Sequence, residues 1–175
     1  TTEQVQAALR QIGISSDNPQ GLFISGYFAE EEKRFAIPYN MVLASNVDEL
    51  NFLASRLETL STGERTELNA VLQALQSELF SIGRITDFPE NVDYYVHLPD
   101  VHGPAQLGDY YLNRSGMVNM PEEWKGGIDT AQFGRYVAQQ EQGVFTEYGY
   151  LVKSGDEWQK VHEGQPVPEE YRVLS

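Results

Sequence analysis

The stretch SNVDELNFLASRLETLSTGERTELNAVLQAL, residues 45–75, is the most strongly specified part of the chain. Ser45 with Asp48, and Ser61 with Glu64, form two capping-box patterns, in which a pair of side chains satisfies free backbone N–H groups at a helix start. Apolar residues then recur at spacings of three and four, which predicts two helices joined as a hairpin near Leu60. The residues predicted to be buried are Val47, Leu50, Leu53, Ala54 and Leu57 in the first helix and Leu68, Val71, Leu72 and Leu75 in the second.

The residues before this hairpin predict a smaller mixed piece. A Thr-capped helix begins at the N-terminus and stops at Gly13, because glycine tolerates the backbone conformation that ends helices. The stretch LFISGYF, residues 22–28, is rich in strand-forming residues. FAIPYNMVL, residues 35–43, is predicted to be an edge segment, because Pro38 cannot donate a hydrogen bond to a sheet.

The residues after the hairpin mix helix and strand. FSIGRITDFPENV, residues 80–92, predicts a short helix, and DYYVHLPD, residues 93–100, predicts a strand. Pro104 suits the first position of a helix, and two further helices are predicted to start at Pro121 and Asp129. A hairpin is predicted around Gly143.

These elements predict an α+β fold in an elongated chain of three small packed domains. The expected boundaries are an N-terminal α/β piece at 1–44, a helical domain at 45–88 and a C-terminal α/β domain at 89–152. Residues 153–175 are interpreted as a polar, partly disordered tail.

The composition excludes several classes of function. The chain has 26 acidic and 12 basic residues, a formal charge of −14 and a pI near 4.5. Such a protein should repel nucleic acid and anionic membranes and should attract basic surfaces. Its lack of cysteine excludes disulfides and thiolate metal sites. With neither a leader pattern nor a long apolar run, we expect a soluble protein of the cytoplasm.

The sequence contains no convincing catalytic arrangement. His97, His102 and His162 lack the spacing of helical zinc ligands, and no serine lies in a nucleophile-elbow pattern. Glu122 and Glu123 are adjacent and so diverge on a helix, which makes them poor partners for acid–base catalysis. No enzymatic activity, cofactor or metal is therefore expected, although a carboxylate-dependent enzyme stays a remote alternative that would need two acids converging in a pocket.

The acidic residues are spread along the chain at fairly even intervals. Residues 87–123 contain seven acids and one base, and residues 40–80 contain six acids and two bases. Even spacing on folded elements predicts an extended negative surface, and DNA carries about one charge per 1.7 Å of axis. Two interpretations follow. In the first, the acidic residues only keep the protein soluble, and the net charge taken alone favours this interpretation. In the second, they imitate DNA in a DNA-binding cleft.

An ordered set of motifs resembles the ArdA family of antirestriction proteins. The matching pieces are FISGY at 23–27, VDELNFLASRLETL at 47–60, LGDYYLNRSG at 107–116, MPEEW at 120–124, IDTAQFGRYV at 128–137 and GVFTEYGYL at 143–151. Together they cover about residues 5–152. Pro121, Glu122, Asp129 and Phe133-Gly134-Arg135 match the antirestriction motif of the family, a Val-Pro-Glu turn followed by Asp-Tyr-x-x-Tyr-Gly-Arg-Asp.

The resemblance implies a function. Family members are three-domain acidic dimers carried by plasmids and conjugative transposons, and they imitate bent DNA in the DNA site of type I restriction-modification enzymes. The expected partners are therefore such an enzyme and a second copy of the chain. The carboxylates assigned to the DNA-like surface are Asp48, Glu49, Glu64, Glu67, Asp87, Glu90, Asp93, Asp109, Glu122 and Glu123. The residues assigned to the motif and dimer contact are Pro121, Asp129, Phe133, Gly134 and Arg135.

The chain departs from the family pattern at several positions. Thr130 replaces an aromatic residue, Tyr136 and Val137 replace Asp-Leu, and Gly126 and Gly127 replace bulkier residues, all of them within or next to the motif. The opening strands of the family are missing, so the first domain is expected to be truncated or diverged. The alternative function is an interaction module of a mobile element that binds another basic partner.

Overall fold

The computed structural model describes residues 1–13, 35–74 and 81–174. The helices are α1 (Thr2–Gln11), α2 (Tyr39–Leu43), α3 (Val47–Leu57), α4 (Thr62–Ala74), α5 (Ile82–Thr86), α6 (Pro104–Asp109), α7 (Glu122–Lys125) and α8 (Thr130–Glu141). The strands are β1 (Tyr95–Leu98), β2 (Val144–Thr146) and β3 (Gly149–Lys153). Short 3-10 turns lie at Phe88–Glu90, Val92–Tyr94 and Glu169–Tyr171, and a π turn at Tyr110–Arg114. Helices with a small antiparallel sheet confirm the predicted α+β class.

The chain divides into two compact units. Unit 1 contains Thr1–Arg65, Gln76–Asn91 and Trp158–Ser175, and unit 2 contains Thr66–Leu75 and Val92–Glu157. The predicted division into three domains is not confirmed and stays a prediction. The prediction of a polar, partly disordered tail at residues 153–175 also stays a prediction, and unit 1 includes the chain from Trp158 onward.

In unit 1, the predicted N-terminal helix is confirmed as α1. The Thr1 side chain and Gln4 form a capping box at its start, and Gly13, with a φ of 80°, follows its end. The strand predicted at 22–28 lies outside the described residues. The edge segment predicted at 35–43 was wrong, because Pro38 is the N-cap of α2, where its missing N–H costs nothing.

Helix α3 begins one residue later than predicted. Its capping box uses Asn46 and Glu49 in place of Ser45 and Asp48, with the Asn46 side chain accepting the Glu49 N–H at 2.8 Å and the Glu49 carboxylate accepting the Asn46 N–H at 2.9 Å. Asp48 is thereby free for a different contact. Of the residues expected in the α3 core, Leu53 and Leu57 are buried, whereas Ala54 is exposed.

The second predicted capping box is confirmed at the start of α4. The Ser61 hydroxyl accepts the Glu64 N–H at 3.3 Å, and the Glu64 carboxylate accepts the Ser61 N–H at 2.6 Å. The expected core residues Leu68, Val71 and Leu72 are buried, and Leu75 lies outside the described residues. The pKa of Glu64 is lowered, chiefly by the hydrogen bonds from Ser61 and against a smaller opposing effect of burial.

In unit 2 the three strands form an antiparallel sheet in the order β1-β3-β2. Tyr95 pairs with Lys153, and Val144 pairs with Leu151. The predicted strand at 93–100 and the predicted helices starting at Pro104 and Asp129 are confirmed. The predicted hairpin exists, but its turn lies at 147–148 and not around Gly143, because α8 continues to Glu141. The core of unit 2 contains Val101, Leu107, Ala138 and Tyr150.

Candidate functional site

The antirestriction-like motif occupies α7, α8 and the residues between them. Pro121 is the N-cap of α7, and the carboxylate of Glu122 pairs with Lys125 at 2.7 Å within that helix. Asp129 caps α8, because its side chain accepts the Gln132 N–H at 3.0 Å. An acid at a helix start satisfies a free N–H and the helix dipole together, so Asp129 has a structural task here.

Gly134 of the motif lies at a close crossing of α6 and α8. A Cβ added at Gly134 would come within 1.8 Å of the Pro104 carbonyl oxygen, and one added at Gly108 would come within 1.9 Å of the Thr130 carbonyl oxygen. Glycine on both helices therefore lets the two backbones touch. The contact that explains Gly134 is within unit 2 of a single chain.

The outer face of α8 carries no carboxylate. Gln132, Arg135, Tyr136, Gln139 and Gln140 are exposed and recur at spacings of three and four, so they form one stripe along the helix. Tyr136 is 60% exposed, and Phe133, outside this stripe, is half-buried. In a chain with a formal charge of −14, a neutral-to-basic face on the motif helix is an exception.

The C-terminal end of α8 is fixed by one carboxylate. Glu141 accepts hydrogen bonds from the hydroxyl of Tyr111, at 2.9 Å, and from the hydroxyl of Tyr150. Burial, followed by the hydrogen bond to Glu141 and the negative charge of that residue, raises the pKa of both tyrosines well above the usual range. Glu141 is thus a structural acceptor and not part of an outer surface.

Five of the ten carboxylates assigned to the DNA-like surface belong to unit 2. Asp93, Glu122 and Glu123 are exposed, and the side chain of Glu122 is 81% accessible. Asp109 is half-accessible and lies 3.6 Å from Arg114. Glu67 is half-buried. Four of these five carboxylates therefore have substantial access to solvent.

The five carboxylates of unit 1 are mostly occupied. Glu49 and Glu64 are half-buried and cap helices, and Glu90 pairs with Arg56. Asp48 accepts the N–H groups of Val173 and Leu174.

Asp87 corrects the assignment most clearly, because it is fully buried. Its carboxylate accepts the backbone N–H groups of Val161, His162 and Glu163. While these three contacts hold, the oxygens of Asp87 are enclosed by the chain and do not present their charge to a partner.

A family model described as antirestriction protein (ArdA) matches residues 1–152 of the chain. The chain belongs to the ArdA family. Membership implies an antirestriction function and a partner among restriction enzymes, and ArdA proteins are inhibitors and not a known enzyme family. No curated protein matches the chain significantly.

Several carboxylates of this ArdA chain outside the assigned set are also exposed. Asp100, Glu147 and Asp156 are exposed in unit 2, and Glu169 and Glu170 are exposed in unit 1. Their neighbours offered a weak signal, since turns and loops between strands lie on the surface as a rule. Asp156, Glu169 and Glu170 lie beyond the part of the chain that the family model matches.

One group in the described part of this ArdA chain has the residue types of a metal site. Ligand atoms of Asp87, Glu90 and His162 lie within 4.8 Å of one another. Their other contacts oppose metal binding, because Asp87 already accepts three backbone N–H groups and Glu90 pairs with Arg56.

Among the described helices, none combines the length and the hydropathy that a bilayer span needs.

Proposed function

We propose that this ArdA protein inhibits type I restriction-modification enzymes by placing its exposed carboxylates in the groove that normally holds DNA. Carriage by a plasmid or transposon and action in the bacterial cytoplasm belong to the same proposal. The observation that carries it is the family match over residues 1–152 of a chain with a formal charge of −14. Inhibition would need no cofactor, because a basic groove is satisfied by negative charge alone.

The carboxylates of unit 2 are the best candidates for this contact. Asp93 and Glu123 are exposed and, among the described residues, form no ion pair. Glu122 and Asp109 pair with Lys125 and Arg114 but keep 81% and 51% of their side-chain exposure. Exposed pairs of this kind are weak, so their carboxylates can exchange partners for the lysine and arginine side chains of a DNA-binding groove.

Competition for DNA tests this proposal directly. Adding the protein to a purified type I enzyme bound to labelled DNA should release the DNA, with an effect that weakens as salt rises. The triple variant Asp109→Asn, Glu122→Gln, Glu123→Gln should compete less well. Unchanged DNA occupancy at low salt with excess protein would disprove the proposal.

A charge-matched control separates location from total charge. The variant Glu3→Gln, Glu169→Gln, Glu170→Gln removes the same number of exposed charges from unit 1, at positions outside the assigned surface. We expect this variant to compete nearly as well as the unchanged protein. Equal losses in the two triple variants would show that net charge, and not the placement of carboxylates in unit 2, governs competition.

The carboxylate-free face of α8 supports a second part of the proposal, which is dimerisation through the motif. A face with Tyr136 and Arg135 but no acid avoids like-charge repulsion between two copies. Tyr136→Glu should convert the dimer to monomer, as measured by light scattering after size-exclusion chromatography. Ile12→Glu, which adds the same charge at a 70% exposed position of unit 1, should leave the molar mass unchanged.

The alternative function is an interaction module that binds another basic partner. Exposed apolar side chains at Met117 and Trp124, 75% and 67% accessible, are the observation in its favour. The competition experiment decides between the two functions. A protein that never displaces DNA from the enzyme, yet binds basic proteins at the same salt concentration, would favour the module.

A further inference from the structure

The last described residues form a strap on unit 1. We define the strap as residues 158–174, which follow unit 2 in the chain but belong to unit 1. The family match ends at residue 152, so the strap is an addition to the matched part of the fold. Nothing in the membership of the family assigns it a task.

The first attachment of the strap is the buried carboxylate of Asp87. Its Oδ1 accepts the His162 N–H at 2.7 Å, and its Oδ2 accepts the N–H groups of Val161 and Glu163, each at 3.1 Å. Asp87 has no exposed surface. A buried charge that accepts hydrogen bonds from three successive amides binds them strongly, because either partner without the other would be a desolvated polar group.

The second and third attachments use strap residues that come before and after the three residues bound by Asp87. The Asn91 side chain donates to the Gln159 carbonyl at 2.9 Å and accepts the Gln159 N–H at 2.7 Å. At the far end, Asp48 accepts the N–H groups of Val173 at 2.6 Å and Leu174 at 3.2 Å. The strap backbone is therefore held at its beginning and at its end by side chains of unit 1.

Aromatic contacts complete the attachment. The Phe52 ring of α3 lies 5.0 Å from the His162 ring and 4.8 Å from the Tyr171 ring. The Arg84 guanidinium of α5 lies 4.2 Å from the centre of the Trp158 ring. The strap thus covers one aromatic side chain of unit 1 and places one of its own against a cation.

The manner of attachment differs from that of a sheet strand. In the described residues, the ladder pairs join β1, β2 and β3 only, and the strap contacts unit 1 through side-chain acceptors and donors. A segment held by a few side chains opens at a lower free-energy cost than the unit on which it lies.

We propose that the strap is a hinged cover that opens from unit 1 as one piece, with Asp87 as its latch. Opening uncovers Phe52 and releases the carboxylates of Asp48 and Asp87 to solvent. The cover therefore determines how many carboxylates unit 1 presents. This inference does not depend on the proposed inhibition of restriction enzymes.

Hydrogen exchange on the full chain tests the cover. Asp87→Asn replaces one acceptor oxygen by an N–H₂ group that faces backbone donors, and it should speed exchange of the strap amides by about tenfold or more. Exchange in β1 and β3 of unit 2 should not change. Asp93→Asn, at an exposed position, is the matched control and should behave as the unchanged protein.

Two outcomes would overturn the proposal. Strap amides that exchange at the unchanged rate in Asp87→Asn would exclude the latch, and equal acceleration throughout unit 1 would exclude a separate cover. If Asp87→Asn does not fold, Asp48→Asn tests the same idea from the other end, with the same expected and contradicting results. Trp158 fluorescence in a Trp124→Phe background gives an independent measurement, because opening should increase its quenching by acrylamide.

Discussion

Unit 1 and unit 2 carry equal formal charge and use it in different ways. Unit 1 has 15 acidic and 8 basic residues and unit 2 has 11 and 4, so each has a net charge of −7. In unit 1, Asp48 and Asp87 accept backbone N–H groups of the strap. In unit 2, most of the assigned carboxylates stay accessible to solvent. Helices α6 and α8 of this unit are joined by a close crossing at Gly108 and Gly134.

This comparison shows that charge in the sequence is not charge on the surface. A carboxylate that accepts several backbone N–H groups acts as part of the framework, and one in solvent is available to a partner.

The largest effect is expected from Gly134→Ala in unit 2. The added Cβ would lie 1.8 Å from the Pro104 carbonyl oxygen, so α6 and α8 must separate. We expect a loss of about 3 kcal/mol in the free energy of unfolding, measured by urea denaturation. Gly126→Ala, where a Cβ meets nothing within 4 Å, is the control and should change stability little. Equal stability of the two variants would show that the crossing of α6 and α8 does not require glycine at position 134.

The second-largest loss of stability is expected from Asp87→Ala in unit 1. Three backbone N–H groups lose their acceptor in a place without solvent, which we expect to cost about 2 kcal/mol in the free energy of unfolding. The control is Asp93→Ala at an exposed position of unit 2. Were both substitutions nearly neutral in urea, Asp87 would have to be counted with the surface carboxylates.

Because the pKa values of Tyr111 and Tyr150 in unit 2 are raised, we expect the protein to lose stability at high pH. Burial first, and then the hydrogen bond to Glu141, raises the folded-state pKa of Tyr150, so the neutral hydroxyl is the form that stabilises the fold. This contribution is complete below the unfolded pKa of about 10 and is lost as pH rises above it, by about 1.4 kcal/mol per pH unit. Tyr150→Phe should flatten this slope in thermal unfolding, whereas Tyr136→Phe, 60% exposed, should not. A slope unaffected by Tyr150→Phe would contradict this assignment.

The smallest effect is expected at the start of α4 in unit 1. The pKa of Glu64 is lowered in the folded state, so its contribution is present above the unfolded value and is lost as pH falls through the folded pKa. Glu64→Gln should cost at most about 1 kcal/mol at neutral pH and nothing in strong acid, because the group is partly exposed. Thermal unfolding at several pH values measures this difference. In a Ser61→Ala background, which lacks the largest cause of the shift but keeps the backbone N–H of residue 61, the pH dependence should become smaller.

Local patterns predicted much of the secondary structure. Ser61 with Glu64, Thr1 before α1, Pro104 at the start of α6 and Asp129 before α8 all act within a few residues of chain, and all were confirmed. The capping box of α3 was placed one residue early, because Ser45 and Asn46 are both good caps and only the fold selects between them.

The candidate site was harder to predict than the helices. The net charge, the antirestriction motif and the family follow from the sequence, because they depend on residue types and their order. The exposure of each carboxylate depends on groups brought near it through space. Asp87 meets N–H groups that lie 74 to 76 residues further along the chain, and no local pattern encodes that distance.

By itself, the sequence determined the charge, most of the helix starts and membership of the ArdA family, since these reside in composition and short-range order. Only the tertiary structure decided which acids are framework and which are surface, and that Gly134 serves a helix crossing. The physical reason is that burial and close approach are properties of residues far apart in the chain, and folding alone brings them together.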